Sequence, residues 1–132
     1  MTTIIFETKE HESRYNEYID KMPRKDGYNK AYAYILALIG HSTDDIFDFE
    51  NHRIIPEGLG ACWQTGNTTR ATALLFSLWN GYNNEHNCGT VYNIFGSSYW
   101  DKYYIEALRL YCSNSDMQIP SKFKIKFGST ES

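Results

Sequence analysis

The chain has 132 residues, a length that fits a single domain, 1–132, with a core that needs no disulfides. Its formal net charge of −3 provides no basic field for nucleic acid, so direct nucleic-acid binding is not expected. The cysteines Cys62, Cys88 and Cys112 are too few and too scattered for a disulfide framework, and their odd number is typical of a reducing compartment. No basic start followed by a long apolar run marks a secretion signal, and no apolar stretch reaches membrane-spanning length. These features predict a cytoplasmic protein.

The N-terminal residues predict a short strand followed by a helix. Ile4–Phe6 is an apolar run of strand type. Thr8 can cap a helix of about Lys9–Met22, because its hydroxyl can accept from a free backbone N–H of the first turn. Pro23 cannot continue that helix.

A second helix is predicted from about Tyr28 to Ile39. Asp26 or Asn29 can cap it, and Gly40 closes it because glycine tolerates the left-handed backbone past a helix end. A short helix capped by Ser42 or Thr43 should follow, carrying apolar Ile46, Phe47 and Phe49.

The clearest helical pattern lies in the middle of the chain, after three glycines that break any regular element. Candidate caps for this helix are Asn67, Thr68 and Thr69. Its apolar residues recur at helical spacing, namely Ala71, Leu74, Leu75 and Leu78. We expect a central helix of about Thr69–Asn80, stopped by Gly81.

The C-terminal third predicts a short apolar turn at 91–95 and a last helix of about Tyr99–Cys112. The tail, KFKIKF at 122–127, alternates apolar and lysine side chains as a half-buried strand does, and could pair with Ile4–Phe6. The expected fold is therefore mainly α within the α+β class. It has about five helices around the central helix 69–80, and a minor two-stranded element from the two termini.

The loop that precedes the central helix is the candidate binding site. Backbone N–H groups at a helix start, threonine hydroxyls and an arginine together suit an anion, and a tryptophan could stack on a base. The alternative is an ordinary capped helix with the tryptophan packed under its first turn, since the phosphate-loop pattern GxxxxGK[ST] is absent. The candidate ligand- or partner-binding residues are Trp63, Gln64, Thr65, Asn67, Thr68, Thr69 and Arg70.

An acidic cluster is the principal metal candidate. It comprises Asp44, Asp45, Asp48 and Glu50, with His52 beside it. Carboxylates and an imidazole can hold a divalent cation, but neither the calcium-loop nor the HExxH order is present. A solvated face with acids at a helix start is the favoured interpretation. No catalytic residue, metal ligand or cofactor is assigned from the sequence.

Four short segments resemble a family of small uncharacterised proteins from phages and mobile elements of low-GC Gram-positive bacteria. The matching segments are IFDF at 46–49, PEGL at 56–59, WQTG at 63–66 and FSLWNG at 76–81. Cys62 stands where that family usually has a small residue or glycine. The resemblance implies a genomic setting and carries no catalytic residues with it.

Three functions are compatible with these patterns. The setting implied by the resemblance, together with the absence of a catalytic motif and with eleven tyrosines, favours an anti-defence inhibitor of the anti-CRISPR type. It would bind a host protein or defence complex, as a monomer or homodimer, and would not be an enzyme. The second is a sponge-type anti-defence protein that binds a nucleotide signal at the Trp63–Arg70 loop. The third is a small metal-dependent hydrolase or nuclease that uses the acidic cluster.

Overall fold

The computed structural model describes residues 3–80 and 100–114. Within these ranges the chain is mainly helical, as predicted. Its α-helices are α1 Lys9–Lys21, α2 Gly27–Ile39, α3 Gly66–Asn80 and α4 Asp101–Asn114. Two 3₁₀ turns, Thr43–Asp45 and Pro56–Gly60, flank a small antiparallel hairpin of β1 Phe47–Asp48 and β2 Arg53–Ile54.

Helix α2 is the centre of the molecule, and the predicted central helix, now α3, packs on one side of it. Every residue from Ala31 to Ile39 is buried, and α2 packs against α1, α3 and α4. This run carries no charge, and its alanines allow neighbouring helices to approach closely on several sides. The stripe on α3 is nevertheless as expected, since Leu74 and Leu75 are buried.

The predicted helix ends of α1 and α2 are confirmed by their hydrogen bonds. The Thr8 hydroxyl accepts from the backbone N–H of His11, and the Asp26 carboxylate accepts from that of Asn29. Gly40 has φ 87, the left-handed conformation that a glycine adopts at low cost. These contacts are local, so the sequence specified them without help from the rest of the fold.

Helix α3 begins at Gly66 rather than at the predicted Thr69. The Thr65 hydroxyl accepts from the Thr68 N–H at 3.2 Å, and the Thr68 hydroxyl accepts from the Thr65 N–H at 2.7 Å. This reciprocal pair has the arrangement of a capping box with threonine in both positions. The pair satisfies two backbone donors at once. This explains why the helix begins at Gly66, before the predicted start at Thr69.

The small sheet also differs from the prediction. Ile4–Phe6 is not a strand in the structure, and the tail at 122–127 and the turn at 91–95 lie outside the described residues. The predicted short helix is present only as the 3₁₀ turn Thr43–Asp45, and β1 forms where that helix was expected to continue. β2 lies beyond that segment. That region forms a hairpin because the Asp48 carboxylate accepts from both the backbone and the side-chain amide of Asn51, which closes a tight turn.

Candidate functional site

Trp63, in the loop predicted to bind a ligand, is fixed by contacts within the protein. Its indole Nε1–H donates to Asp45 Oδ2 at 2.7 Å. The His41 ring lies edge-on to it, with ring centroids 5.2 Å apart. The side chain is half-buried, so part of the indole is available to another molecule while its polar atom is already bonded.

The rest of this loop also directs its polar groups inward. Gln64 Nε2 donates to the carbonyl of Gly58 at 2.9 Å and to the Thr72 hydroxyl at 3.2 Å. The Thr69 N–H donates to the Thr65 carbonyl. The Asn67 carbonyl accepts from the Tyr104 hydroxyl at 3.1 Å, which ties the loop to α4.

The remaining predicted site residues, Thr68 and Arg70, are buried and half-buried respectively. The Thr68 and Thr69 N–H groups are bonded within the loop, so these two donors are not available to an anion. A binding role for this loop stays a prediction.

Three of the four segments that carry the resemblance, 46–49, 56–59 and 63–66, contact one another in the structure. Besides the Trp63–Asp45 and Gln64–Gly58 bonds, Gly58 packs directly against the carbonyl of Asp45 and the side chain of Ile46, where a Cβ atom would not fit. The sequence pattern around these residues is therefore explained by packing. A segment pattern of this kind does not by itself mark a ligand site.

The acidic cluster does not assemble into a metal site. Asp45 bonds Trp63, Asp48 bonds Asn51 and lies 3.8 Å from Arg53 Nε, and His52 faces away toward α2. The hydrogen bonds from Asn51 hold the pKa of the Asp48 carboxyl below its usual value. Among residues 3–80 and 100–114, no three His, Cys, Asp or Glu side chains are grouped as metal ligands would be.

A different place in the fold combines a cavity with convergent polar groups. A partly open pocket of about 220 Å³ lies where the N-terminal end of α2, the hairpin turn and the C-terminal part of α3 meet. We call it the α2–hairpin pocket. It is lined by Arg24, Asp26, Tyr28, Asn29, Tyr32, His52 and Trp79.

Aromatic rings form much of the wall of this pocket. The centroid of the Trp79 ring lies 5.0 Å from the ring centroid of Tyr32 and 5.0 Å from that of His52. The Tyr28 ring packs against Tyr111 of α4, with ring centroids 4.9 Å apart. Burial raises the pKa of the Tyr32 phenol, so this ring stays neutral at any physiological pH. Such rings offer faces on which a planar ligand can stack.

A chain of hydrogen bonds links Asp26 through Asn29 to His52. Asn29 Nδ2 donates to Asp26 Oδ1 at 2.8 Å, and Asn29 Oδ1 lies 2.7 Å from His52 Nε2. The Asn29 side chain is buried, with 3% of its surface exposed. His52 has φ 54, in the left-handed region that residues other than glycine adopt uncommonly.

The electrostatics of the pocket are mixed. Burial lowers the pKa of His52, Asp26 raises it and Arg24 lowers it, and the net shift is downward, so the imidazole is neutral at pH 7. Arg24 sits at the rim with 79% of its side chain exposed and Nε 3.7 Å from Asp26. The pocket thus offers aromatic walls, a neutral imidazole and an exposed Arg24 guanidinium that is paired with the Asp26 carboxylate.

Reasoning from the sequence did not find this pocket. Asp26 was recognised as a helix cap and His52 as a member of the acidic cluster, but Asn29 and His52 are 23 positions apart and contact only in the folded chain. The one local signal is a polar turn, ENHR, whose histidine takes a conformation that asparagine or glycine would adopt more readily.

The comparisons with known proteins show the family of this chain. Residues 1–122 match DUF6075, a family of unknown function. The chain belongs to that family. No curated protein and no solved structure matches it. In the part of the chain that the structure describes, none of the helices has the length and apolar character to cross a membrane.

Proposed function

We propose that this protein is a binding protein whose α2–hairpin pocket takes the planar ring of a small anionic ligand of nucleotide type. The observation that carries the proposal is the combination, in one open cavity, of aromatic walls, a buried Asn29 amide bonded to His52, and Arg24 at the mouth. Pockets that pair apolar walls with a few convergent polar groups are the usual form of small-molecule sites.

The size of the pocket restricts the ligand. Its volume of about 220 Å³ is below the range of roughly 300–1,000 Å³ that drug-sized ligands occupy. One ring system therefore enters, and the rest of the ligand stays outside. Arg24 is at the position that this outer part would reach, and a guanidinium suits a phosphate because it offers several donors in a fixed plane.

The biological role that fits such a site is sequestration of a nucleotide signal by an anti-defence protein. This role rests on the resemblance to phage and mobile-element proteins, and the pocket supplies a site that could perform it. The ligand would be removed from solution without being altered, so the role requires no catalytic group.

A second candidate is a protein-binding inhibitor of the anti-CRISPR type that uses the Trp63 surface. The specific observation in its favour is the half-buried indole, which Asp45 and His41 hold in one orientation. Tryptophans with fixed geometry often contribute most of the binding energy of an interface. In this case Trp63→Phe, which removes the hydrogen bond and keeps an aromatic ring, would weaken capture of a host protein and leave nucleotide binding unchanged.

The principal test compares two arginines in matched settings. Arg24 and Arg53 are both exposed and both lie within 4 Å of a single aspartate, but only Arg24 lines the pocket. We expect Arg24→Gln to weaken the binding of uridine and guanosine 5′-monophosphates about tenfold, a loss typical of one charge-assisted hydrogen bond, and Arg53→Gln to leave it unchanged.

Binding is measured by calorimetry and by the NMR shifts of the Trp79 indole. Neither variant should alter the melting temperature by more than a degree or two, because exposed substitutions change stability by less than about 0.5 kcal/mol. If neither nucleotide shifts the Trp79 resonance at millimolar concentration, and native mass spectrometry of the purified protein shows no retained small molecule, the pocket is not a ligand site.

A further inference from the structure

We propose that His52 recognises a ring N–H of the ligand through its Nδ1 atom, so that the α2–hairpin pocket selects planar heterocycles carrying such a donor. The inference rests on the proposed function and specifies the chemistry of the ligand. It follows from the position of the proton on His52, which the hydrogen-bond chain determines.

The first step is the orientation of the Asn29 amide. Asp26 accepts from both the backbone N–H and the side chain of Asn29, and an ionised carboxylate can only accept. The amide nitrogen of Asn29 must therefore face Asp26. Its carbonyl oxygen then faces His52, and this assignment is unambiguous because reversing the amide would bring two acceptors together.

The second step is the tautomer of His52. A carbonyl oxygen can only accept, so His52 Nε2, at 2.7 Å from Asn29 Oδ1, must carry a proton. In the neutral imidazole only one nitrogen is protonated, which leaves Nδ1 with a lone pair. Nδ1 makes no hydrogen bond with any residue in 3–80 or 100–114. It is an unused acceptor on a ring that lines the cavity.

The third step is that the ring is held in place. His52 lies edge-on to Phe47, with centroids 5.8 Å apart, and to Trp79 at 5.0 Å. The hydrogen bond from Nε2 to Asn29 Oδ1 holds the third side of the ring. An acceptor fixed in this way discriminates by geometry, since a ligand with a lone pair or a methyl group at the same point would be rejected.

Protonation of His52 changes only the Nδ1 atom, because Nε2 donates to Asn29 in both states. The charged groups that face the ring are Asp26 and Arg24, and the phenols of Tyr28 and Tyr32 share the pocket. Below the pKa of His52, Nδ1 becomes a donor and repels the ligand N–H. Affinity for a ring N–H ligand should therefore be constant at neutral pH and should fall as the pH drops through the lowered pKa of His52.

The tautomer can be tested without any ligand. Long-range ¹H–¹⁵N spectra of protein labelled at histidine should show His52 Nε2 protonated and Nδ1 unprotonated at pH 7.5. His52→Asn identifies the resonances and should preserve the fold, since asparagine tolerates the left-handed backbone. A protonated Nδ1 in neutral His52 overturns the inference.

The selectivity is tested with two pairs of probes: uridine 5′-monophosphate with its N3-methyl analogue, and guanosine 5′-monophosphate with its N1-methyl analogue. For at least one pair, methylation should weaken binding to the wild-type protein tenfold or more. His52→Asn should abolish that difference, and His41→Asn, at an exposed histidine outside the pocket, should retain it.

The outcomes separate the two proposals. Binding of parent and methylated probes with equal affinity overturns the role of His52 and leaves the pocket as a ligand site. Absence of binding by all four probes removes the nucleotide-type ligand, and with it both proposals.

Discussion

Two histidines of this protein have lowered pKa values for the same physical reason, burial, yet they are placed in opposite ways. His11 is fully enclosed, and both of its nitrogens are bonded: Nδ1 accepts from the Glu7 N–H and Nε2 donates to the Tyr34 carbonyl. His52 is half-exposed and uses Nε2 only. A perturbed pKa therefore does not identify a functional histidine.

The surroundings of His11 explain what it does instead. It joins α1 to α2 and to the N-terminal segment, where the Tyr34 hydroxyl donates to the Ile5 carbonyl and the Ile5 N–H donates to Glu106 of α4. Phe6 packs edge-on against the His11 ring at 5.1 Å. The imidazole thus holds the N-terminal segment against the helical core. We expect its removal to lower the free energy of unfolding.

The largest expected effect is that of His11→Ala. It leaves the Glu7 N–H without its acceptor, removes the His11 bond to the Tyr34 carbonyl and opens a cavity beside Phe6, so the free energy of unfolding should fall by roughly 3 kcal/mol or more. His52→Asn should cost about 1 kcal/mol, from the lost ring contacts. Urea denaturation of both variants measures the two values, and equal losses would remove the distinction between the two histidines.

The pH dependence of stability should also follow His11. Burial lowers its pKa from 6.5 in the unfolded chain to about 4 in the folded protein, and the nearby Arg14 adds to the shift. The unfolded state then binds the extra proton between these values. The contribution of neutral His11 to the free energy of unfolding is complete above pH 6.5. The free energy of unfolding should fall by about 3 kcal/mol as the pH drops to 4.

Urea midpoints measured between pH 7.5 and 4 test this slope, with His11→Gln as the control that should lose most of it. A small residual slope of the same sign is expected from His52. Glu106 and Asp48, whose pKa values are lowered by hydrogen bonds, contribute at still lower pH as they protonate. A wild-type protein equally stable at pH 7 and pH 4.5 would contradict a buried neutral His11.

A smaller effect is expected for Glu106→Gln. Its carboxylate accepts two hydrogen bonds from Arg109, at 2.8 and 2.9 Å, and one from the Ile5 N–H at 3.0 Å. The amide keeps the shape and loses the charge, so unfolding should become easier by about 1–2 kcal/mol. Hydrogen exchange of the Ile5 amide should accelerate. Unchanged exchange at Ile5 would mean that Glu106 does not hold the N-terminal segment, whereas binding in the α2–hairpin pocket should be unaffected in either case.

The fold class and most helix ends could be predicted because the responsible contacts are close in sequence. Thr8, Asp26 and Gly40 act on backbone groups within four residues, and the apolar stripe of α3 needs only helical spacing. The start of α3 was predicted too late because threonine at both ends of a capping box is not the usual pairing. The hairpin at Phe47–Ile54 was missed because apolar Ile46, Phe47 and Phe49 also suit a short helix.

The loop at Trp63–Arg70 was predicted to bind a ligand or partner because it combines glycine, threonine and an aromatic residue. In the folded chain much of that chemistry is used to build the loop itself and to join it to Asp45 and Gly58. Local density of polar residues indicates a structured turn at least as readily as a binding surface. Which of the two holds depends on whether the polar atoms find partners inside the protein.

The four helices, the caps of α1 and α2 and the mainly α class could be read from the sequence, since these follow from hydrogen bonds and side-chain spacing within a few residues. Long-range packing places α2 at the centre and brings Asp26, Asn29, His52 and Trp79 into one pocket. The two kinds of feature differ in the sequence separation of the residues that make the contacts. The residues that line the pocket are far apart in sequence, and their contacts require the packing of α2, the hairpin and α3 against one another.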